Sequence, residues 1–146
     1  MKIALGSDHA GFRYKEIIKN HLRENGYEVI DHGTFSEESA DYPDFIRPAA
    51  EDVSEGRADK AIGVCGSGIG VSIVANKVKG IRAALVLNET MASLSVQHNN
   101  SNFLALSEQF IEEKNLLKIV DAWLNSEFEG GRHLRRINKI EQEINS

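Results

Sequence analysis

A chain of 146 residues with 41% hydrophobic and 27% charged residues has the size and make-up of one compact globular domain with its own apolar core. A net charge of −5 gives it no overall attraction for nucleic acid or anionic membranes, so any anion site has to be local. Met1 to Leu5 is too short an apolar stretch for the core of a secretory signal, and no run reaches the ~20 apolar residues of a membrane-crossing helix, so a cytoplasmic protein is expected.

Short apolar runs alternate with longer helical patterns. Ile3-Ala4-Leu5 reads as a strand that stops at Gly6. Phe12, Ile17, Ile18 and Leu22 recur at helical spacing, with Gly26 as a stop signal. Glu28 to Asp31 reads as a second strand, and Pro43 suits the first turn of a helix through Ile46, Ala49, Ala50 and Val53 that ends near Gly56. Ala61 to Cys65 is apolar on both faces, as a central parallel strand should be. A glycine-rich turn and a short helix through Ile73 and Val74 follow. A fourth strand is expected over Ile81 to Leu87, a helix around Met91 to Gln97, and a fifth strand over Phe103 to Leu106. Leu116, Leu117, Val120, Trp123 and Leu124 mark an amphipathic helix. A last helix starts near Gly131 and runs toward the C-terminus, with Leu134, Ile137, Ile140 and Ile144 as its apolar stripe.

Strands alternating with helices in this way predict a three-layer α/β, Rossmann-like fold in which a five-stranded parallel sheet carries helices on both faces, all within residues 1–146 as one domain. Ligands of such folds bind at the carboxyl ends of the strands, near the point where strand order reverses. That rule picks out Asp8-His9, Cys65 to Gly70 and, by inference, His98-Asn99 near the end of the fourth helix.

Cys65-Gly66-Ser67-Gly68-Ile69-Gly70 stands at a strand end and leads into a helix. Its glycines allow close backbone approach, and the helix start offers unpaired N–H groups with partial positive charge. Such a loop stabilises an oxyanion and favours the thiolate of Cys65, the pairing that proton abstraction beside a carbonyl requires. A lone cysteine is also a common small buried residue at the end of a central strand, and it excludes an internal disulfide. The phosphate-loop string G-x-x-x-x-G-K-[ST] is absent, and the dinucleotide pattern fails because Val71 stands where its last glycine would be. A cysteine phosphatase would want an arginine closing the loop, where Val71-Ser72 stand.

Asp8 can cap the first helix, orient a ligand hydroxyl together with His9, or do both. His98 has the acid–base range for proton transfer, although a surface histidine is often idle. Arg132 and Arg136 are four residues apart on one helix face, with Lys139 three further on; they read as an anion clamp or as a solvated basic face. Asp41-Tyr42-Pro43-Asp44 reads mainly as a turn and helix start.

Five blocks in one order, GSDHAGF (6–12), DYPD (41–44), CGSGIGVSIVANKVKGIRAA (65–84), QHNNSN (97–102) and EFEGGRHLRRINKI (127–140), resemble the type B ribose-5-phosphate isomerases, a family that also holds galactose-6-phosphate and allose-6-phosphate isomerases. The resemblance implies an aldose–ketose isomerase acting on ribose 5-phosphate and ribulose 5-phosphate through a cis-enediolate. Cys65 would be the base, with Ser67 and the amides of Gly66, Gly68, Ile69 and Gly70 holding the oxyanion. His98 would assist ring opening, Asp8, His9 and Asn99 would contact the sugar, and Arg132 and Arg136 would bind phosphate. It further implies a homodimer or homotetramer with sites built from two subunits, needing no metal or organic cofactor.

Three positions depart from the family pattern. Ser67 keeps the hydroxyl of the usual threonine. Gln109 stands where many members carry a third phosphate-binding arginine, and Val96 stands where an arginine is often seen. Those changes keep open a six-carbon phosphosugar substrate, such as allose 6-phosphate, or a non-catalytic sugar-phosphate-binding role. The GGRHLRR stretch favours the ribose-type branch.

Overall fold

The computed structural model describes residues 1–141. Its elements are β1 (Lys2–Ser7), α1 (Phe12–Glu24), β2 (Glu28–Asp31), α2 (Pro43–Ser54), β3 (Lys60–Cys65), α3 (Ile69–Asn76), β4 (Ala83–Leu85), α4 (Glu89–Asn99), β5 (Phe103–Ser107), α5 (Glu113–Asn125) and α6 (Arg132–Ile137). Every strand pairing is parallel, and the order across the sheet is β2-β1-β3-β5-β4. The expected five-stranded parallel sheet with helices on both faces is therefore what forms. The chain moves outward from β1 to β2, then returns to lay β3 on the other side of β1. The order reverses between β1 and β3, which opens the crevice where a ligand can sit.

The period of two along each strand sorts the side chains into two cores. Ile3, Leu5, Ile62, Val64, Leu104 and Leu106 pack with apolar residues of α1, α4 and α5, including the fully buried Trp123. Ala4, Ala61, Cys65, Phe103 and Ala105 face α2 and α3 instead. The second face is lined by small residues because its helices lie close. A Cβ on Gly6 would stand 2.3 Å from the Phe45 carbonyl oxygen, and one on Gly63 would stand 2.8 Å from side-chain atoms of Ile46 and Val71.

β1 runs through Gly6 to Ser7, past its expected stop, and two further boundaries differ from the sequence expectation. β4 covers only Ala83–Leu85 of the expected Ile81 to Leu87. As an edge strand it pairs with β5 alone, and side chains end its ladder early: the Arg82 N–H donates to Asn102 Oδ1 and the Ala83 N–H to Asn76 Oδ1. The C-terminal helix is confined to Arg132–Ile137 and continues as turns to Glu141; Ile144 of the expected stripe lies outside the described residues. No helix among the described residues is long and apolar enough to cross a membrane.

A buried ion pair ties α1 to the end of β2. Lys15, 1% exposed, donates to both carboxylate oxygens of Asp31 at 2.8 and 2.7 Å, and Lys19 adds a bond of 3.0 Å. Asp31 also accepts the Gly33 N–H, and Gly33 and Thr34 exchange backbone hydrogen bonds with Ser7. Burial pushes the Asp31 pKa up, but the hydrogen bonds from Lys15, Gly33 and Lys19 outweigh it and leave it below the ordinary value. A depressed carboxylate contributes stability above its unfolded pKa and loses it as pH falls through the folded one.

Asp31→Asn is therefore expected to cost about 3–5 kcal/mol at pH 7, because it leaves Lys15 buried without a counter-charge. In urea unfolding the gap to wild type should close as pH drops below the usual carboxylate range; a gap that persisted there would refute the assignment. Gly6→Ala should lower the unfolding free energy by about 1–3 kcal/mol, read as a lower urea midpoint at unchanged slope, since the obstacle is backbone of α2 and not a flexible side chain.

Candidate active site

The carboxyl ends of β1, β3 and β5 form one constellation. Cys65 ends β3, is 5% exposed, and its Sγ accepts the Gly68 N–H at 3.2 Å. Gly68 has φ 77 and starts α3, a conformation that favours glycine. A Cβ there would also stand 2.7 Å from Leu85 Cδ1 and 3.0 Å from the Leu106 backbone. Because α3 begins at Ile69, the amides of its first turn have no partner within the helix. Ser67 Oγ accepts the Ile69 N–H at 3.2 Å, so its own hydroxyl proton remains to donate.

The strand beside it fixes this loop. The Cys65 carbonyl accepts the Glu108 N–H at 3.0 Å, and the Gly66 carbonyl accepts the Gln109 N–H at 2.9 Å and the Ser107 hydroxyl at 2.8 Å. The Gln109 amide lies over Gly66, where an added Cβ would stand 3.4 Å from Nε2. On the other side the Asp8 N–H donates to the Val64 carbonyl, while Asp8 Oδ1 accepts the Gly11 N–H at 3.0 Å. Asp8 thus ties down the turn before α1, although the capping position just before the helix is Gly11 and no side chain caps it. His9 is exposed and its Nδ1 accepts the Ala40 N–H at 3.1 Å, an arrangement that puts the proton on Nε2, free to donate outward. Tyr42 covers the start of α3, where a Cβ on Gly70 would stand 2.7 Å from its ring.

Asp8, His9, Cys65, Gly66, Ser67, Gly68, Ile69, Gly70 and Gln109 are thus gathered at the carboxyl ends of the strands. His98, Asn99, Arg132 and Arg136 are not. α4 starts beside the end of β4 with Asn88 as its cap, and its 11 residues carry the chain about 16 Å back along the sheet. Its last turn arrives at the opposite edge. There the Asn99 and Asn100 carbonyls accept from Arg82 Nε, and Asn102 holds the starts of β3 and β4. The expectation that His98-Asn99 joins Cys65 at the strand carboxyl ends is wrong within one chain, and the length of α4 is the reason.

That far edge carries its own cluster. The His98 and His133 rings stack with centroids 4.4 Å apart and planes 10° apart. Glu129 Oε1 lies 3.8 Å from His98 Nε2 and 3.5 Å from His133 Nε2. The Glu129 N–H donates to the Gln97 carbonyl, which fixes the loop before α6 against the end of α4. The packed position of His133, with His98 and Arg132 beside it, pushes its pKa below the usual histidine value. Arg132 and Arg136 are exposed on α6. A cavity of about 260 Å³ also opens at this edge, lined in part by Asn76, Ile81, Arg82 and Asn99, and it contains none of the cysteine loop. The sequence reads Tyr42 only as part of a turn and helix start, and it assigns no role to Glu129 or His133. The four-residue spacing of Glu129 and His133 is the one signal that points to their contact.

The ribose/galactose isomerase family model matches residues 3–140. Ribose-5-phosphate isomerase B of Escherichia coli is 47% identical over 139 residues, covering 95% of this chain and 93% of the relative. The structure of ribose-5-phosphate isomerase B from Clostridium thermocellum is 52% identical, superposes with a TM-score of 0.94, and covers 96% of this chain and 95% of that one. The Mycoplasma genitalium enzyme, solved with bound ribulose-5-phosphate, is 45% identical with a TM-score of 0.91, covering 95% and 93%. A match across nearly every described residue leaves one assignment: the chain belongs to the ribose/galactose isomerase family.

Proposed function

We propose that this protein interconverts ribose 5-phosphate and ribulose 5-phosphate, with Cys65 moving the proton between C1 and C2. The observation that carries the reading is the Cys65 sulfur held against an amide at the start of α3. A base there has oxyanion donors within the same loop, so the enediolate charge develops where N–H groups already point. The sulfur takes the proton from C2 of the open-chain aldose and returns it to C1, while the O2 hydroxyl proton passes to O1 as the enediolate collapses to the ketose. The amides of Gly66 to Gly70 and the Ser67 hydroxyl stabilise the oxygen charge, and Asp8 and His9 orient the sugar hydroxyls.

The second half of the chemistry comes from a partner subunit in this reading. His98 opens the furanose ring, Asn99 contacts the sugar, and Arg132 and Arg136 hold the phosphate, yet all four stand at the sheet edge away from Cys65. Ile69 and Ile73, 51% and 55% exposed on α3 beside the cysteine loop, form the apolar surface that a second copy would cover. A two-fold pairing through α3 sets each cysteine end against the other chain's histidine and arginine end, completing two equal sites. Gln109 at the mouth of the loop supplies a neutral amide where a charged contact to phosphate would otherwise stand. That difference favours a comparison of ribose 5-phosphate with allose 6-phosphate as the second reading.

Purified protein incubated with ribose 5-phosphate and a metal chelator should form ribulose 5-phosphate, and Cys65→Ala should lower kcat by about 10²–10⁴ with the fold intact. Absence of turnover on either sugar phosphate, or full activity in the alanine variant, would sink the mechanism. Mixing and refolding equal amounts of inactive Cys65→Ala and His98→Ala chains tests the shared site. Random pairing gives mixed dimers with one intact site, and about a quarter of wild-type activity should return. If every site were confined to one chain, the mixture would stay inactive.

A further inference from the structure

We infer that His98, Glu129 and His133 form a site for a divalent transition metal of the zinc class, and that its occupation withdraws His98 from ring opening. The inhibitory half of this inference rests on the role proposed for His98; the metal site itself does not.

Two imidazoles and one carboxylate are a common zinc ligand set, with a fourth position left for water or a ligand oxygen. Glu129 Oε1 stands 3.5 Å from His133 Nε2 and 3.8 Å from His98 Nε2. Those gaps are too long for good hydrogen bonds, which close at about 2.7–3.2 Å. They are near the edge of a tetrahedron around zinc, about 3.3 Å for ligand bonds of about 2.0–2.1 Å. The three ligand atoms lie within 4.8 Å of one another, the only such group of three or more among the described residues.

The surroundings make the cluster a device in place of an accident of exposure. The backbone of Glu129 is tied to Gln97, the residue before His98, and Glu129 and His133 are four apart across the start of α6. The rings are nearly parallel, so one ion cannot lie in both ring planes. His98, with a side chain 42% exposed against 10% for His133, is the ring that turns toward Glu129 on binding. Arg132 and Arg136 on the same helix oppose a cation, so binding should be weaker than at a closed structural site. The same turn of His98 that completes the site takes its Nε2 away from a sugar oxygen.

Zinc chloride titrated calorimetrically into the full chain in a non-chelating buffer should show one ion bound per chain. Cys65→Ala should bind it equally, which separates this site from the thiol. Glu129→Gln and His133→Asn should each weaken binding by at least about tenfold; Glu129 is exposed, so its variant keeps the fold. Zinc should inhibit the wild-type isomerase reversibly, a chelator should restore it, and both variants should keep basal turnover while escaping inhibition. No binding, binding lost in Cys65→Ala, or variants that bind as tightly as wild type would overturn the proposal. One zinc bound through Glu129 and His133 in a protein that isomerises no sugar phosphate would uphold the site and refute the isomerase reading.

Discussion

Gly11 lies so close to the end of β3 that a Cβ on it would stand 2.4 Å from the Val64 carbonyl oxygen. The same carbonyl accepts the Asp8 N–H, so the turn leaving β1 is pressed against the last residues of β3. Gly6 makes the equivalent approach to α2 on the other face. With side chains at either place the β1 turn would ride away from β3, and Asp8 and His9 would lose their position beside Cys65. The crevice at the strand-order reversal is narrow because backbone meets backbone there, and small residues along β1 and β3 keep it so.

Polar groups then lock what the glycines allow. Lys15 and Asp31 hold α1 to the end of β2, and Asp31 carries the chain through Gly33 and Thr34 alongside Ser7. The segment continues to Ala40, whose amide sets the His9 tautomer, and to Tyr42, which covers Gly70. A charge pair some distance from the cysteine thus fixes the path of the connecting segment that reaches the cysteine end of the sheet.

Much of this was legible in the sequence. Periodicity and apolar runs locate every helix and strand among the described residues, and the glycine run after Cys65 marks a tight strand-to-helix turn with open amides. Two readings fell short for physical reasons. β4 was read too long because Ile81 and Leu87 are apolar, but an edge strand has one partner and side-chain acceptors end its ladder. The rule that ligands bind at strand ends groups His98-Asn99 with Cys65 only by inference, since no strand feeds directly into that segment. The direction of α4 across the sheet, which decides where its last turn lands, is a matter of packing and has no local signature.

By itself the sequence determined the alternation of elements, the parallel sheet, the cysteine–glycine loop and the polar Asp8-His9 turn after β1, all consequences of spacing within a few residues or of a strand feeding directly into a turn. Tertiary structure alone decided the strand order that puts β1 beside β3, the stacking of His98 on His133 around Glu129, and the separation of the cysteine end from the arginine end. These depend on contacts between residues 30 or more positions apart, as between His98 of α4 and His133 of α6, where the packing of separate elements fixes geometry that no short-range pattern encodes.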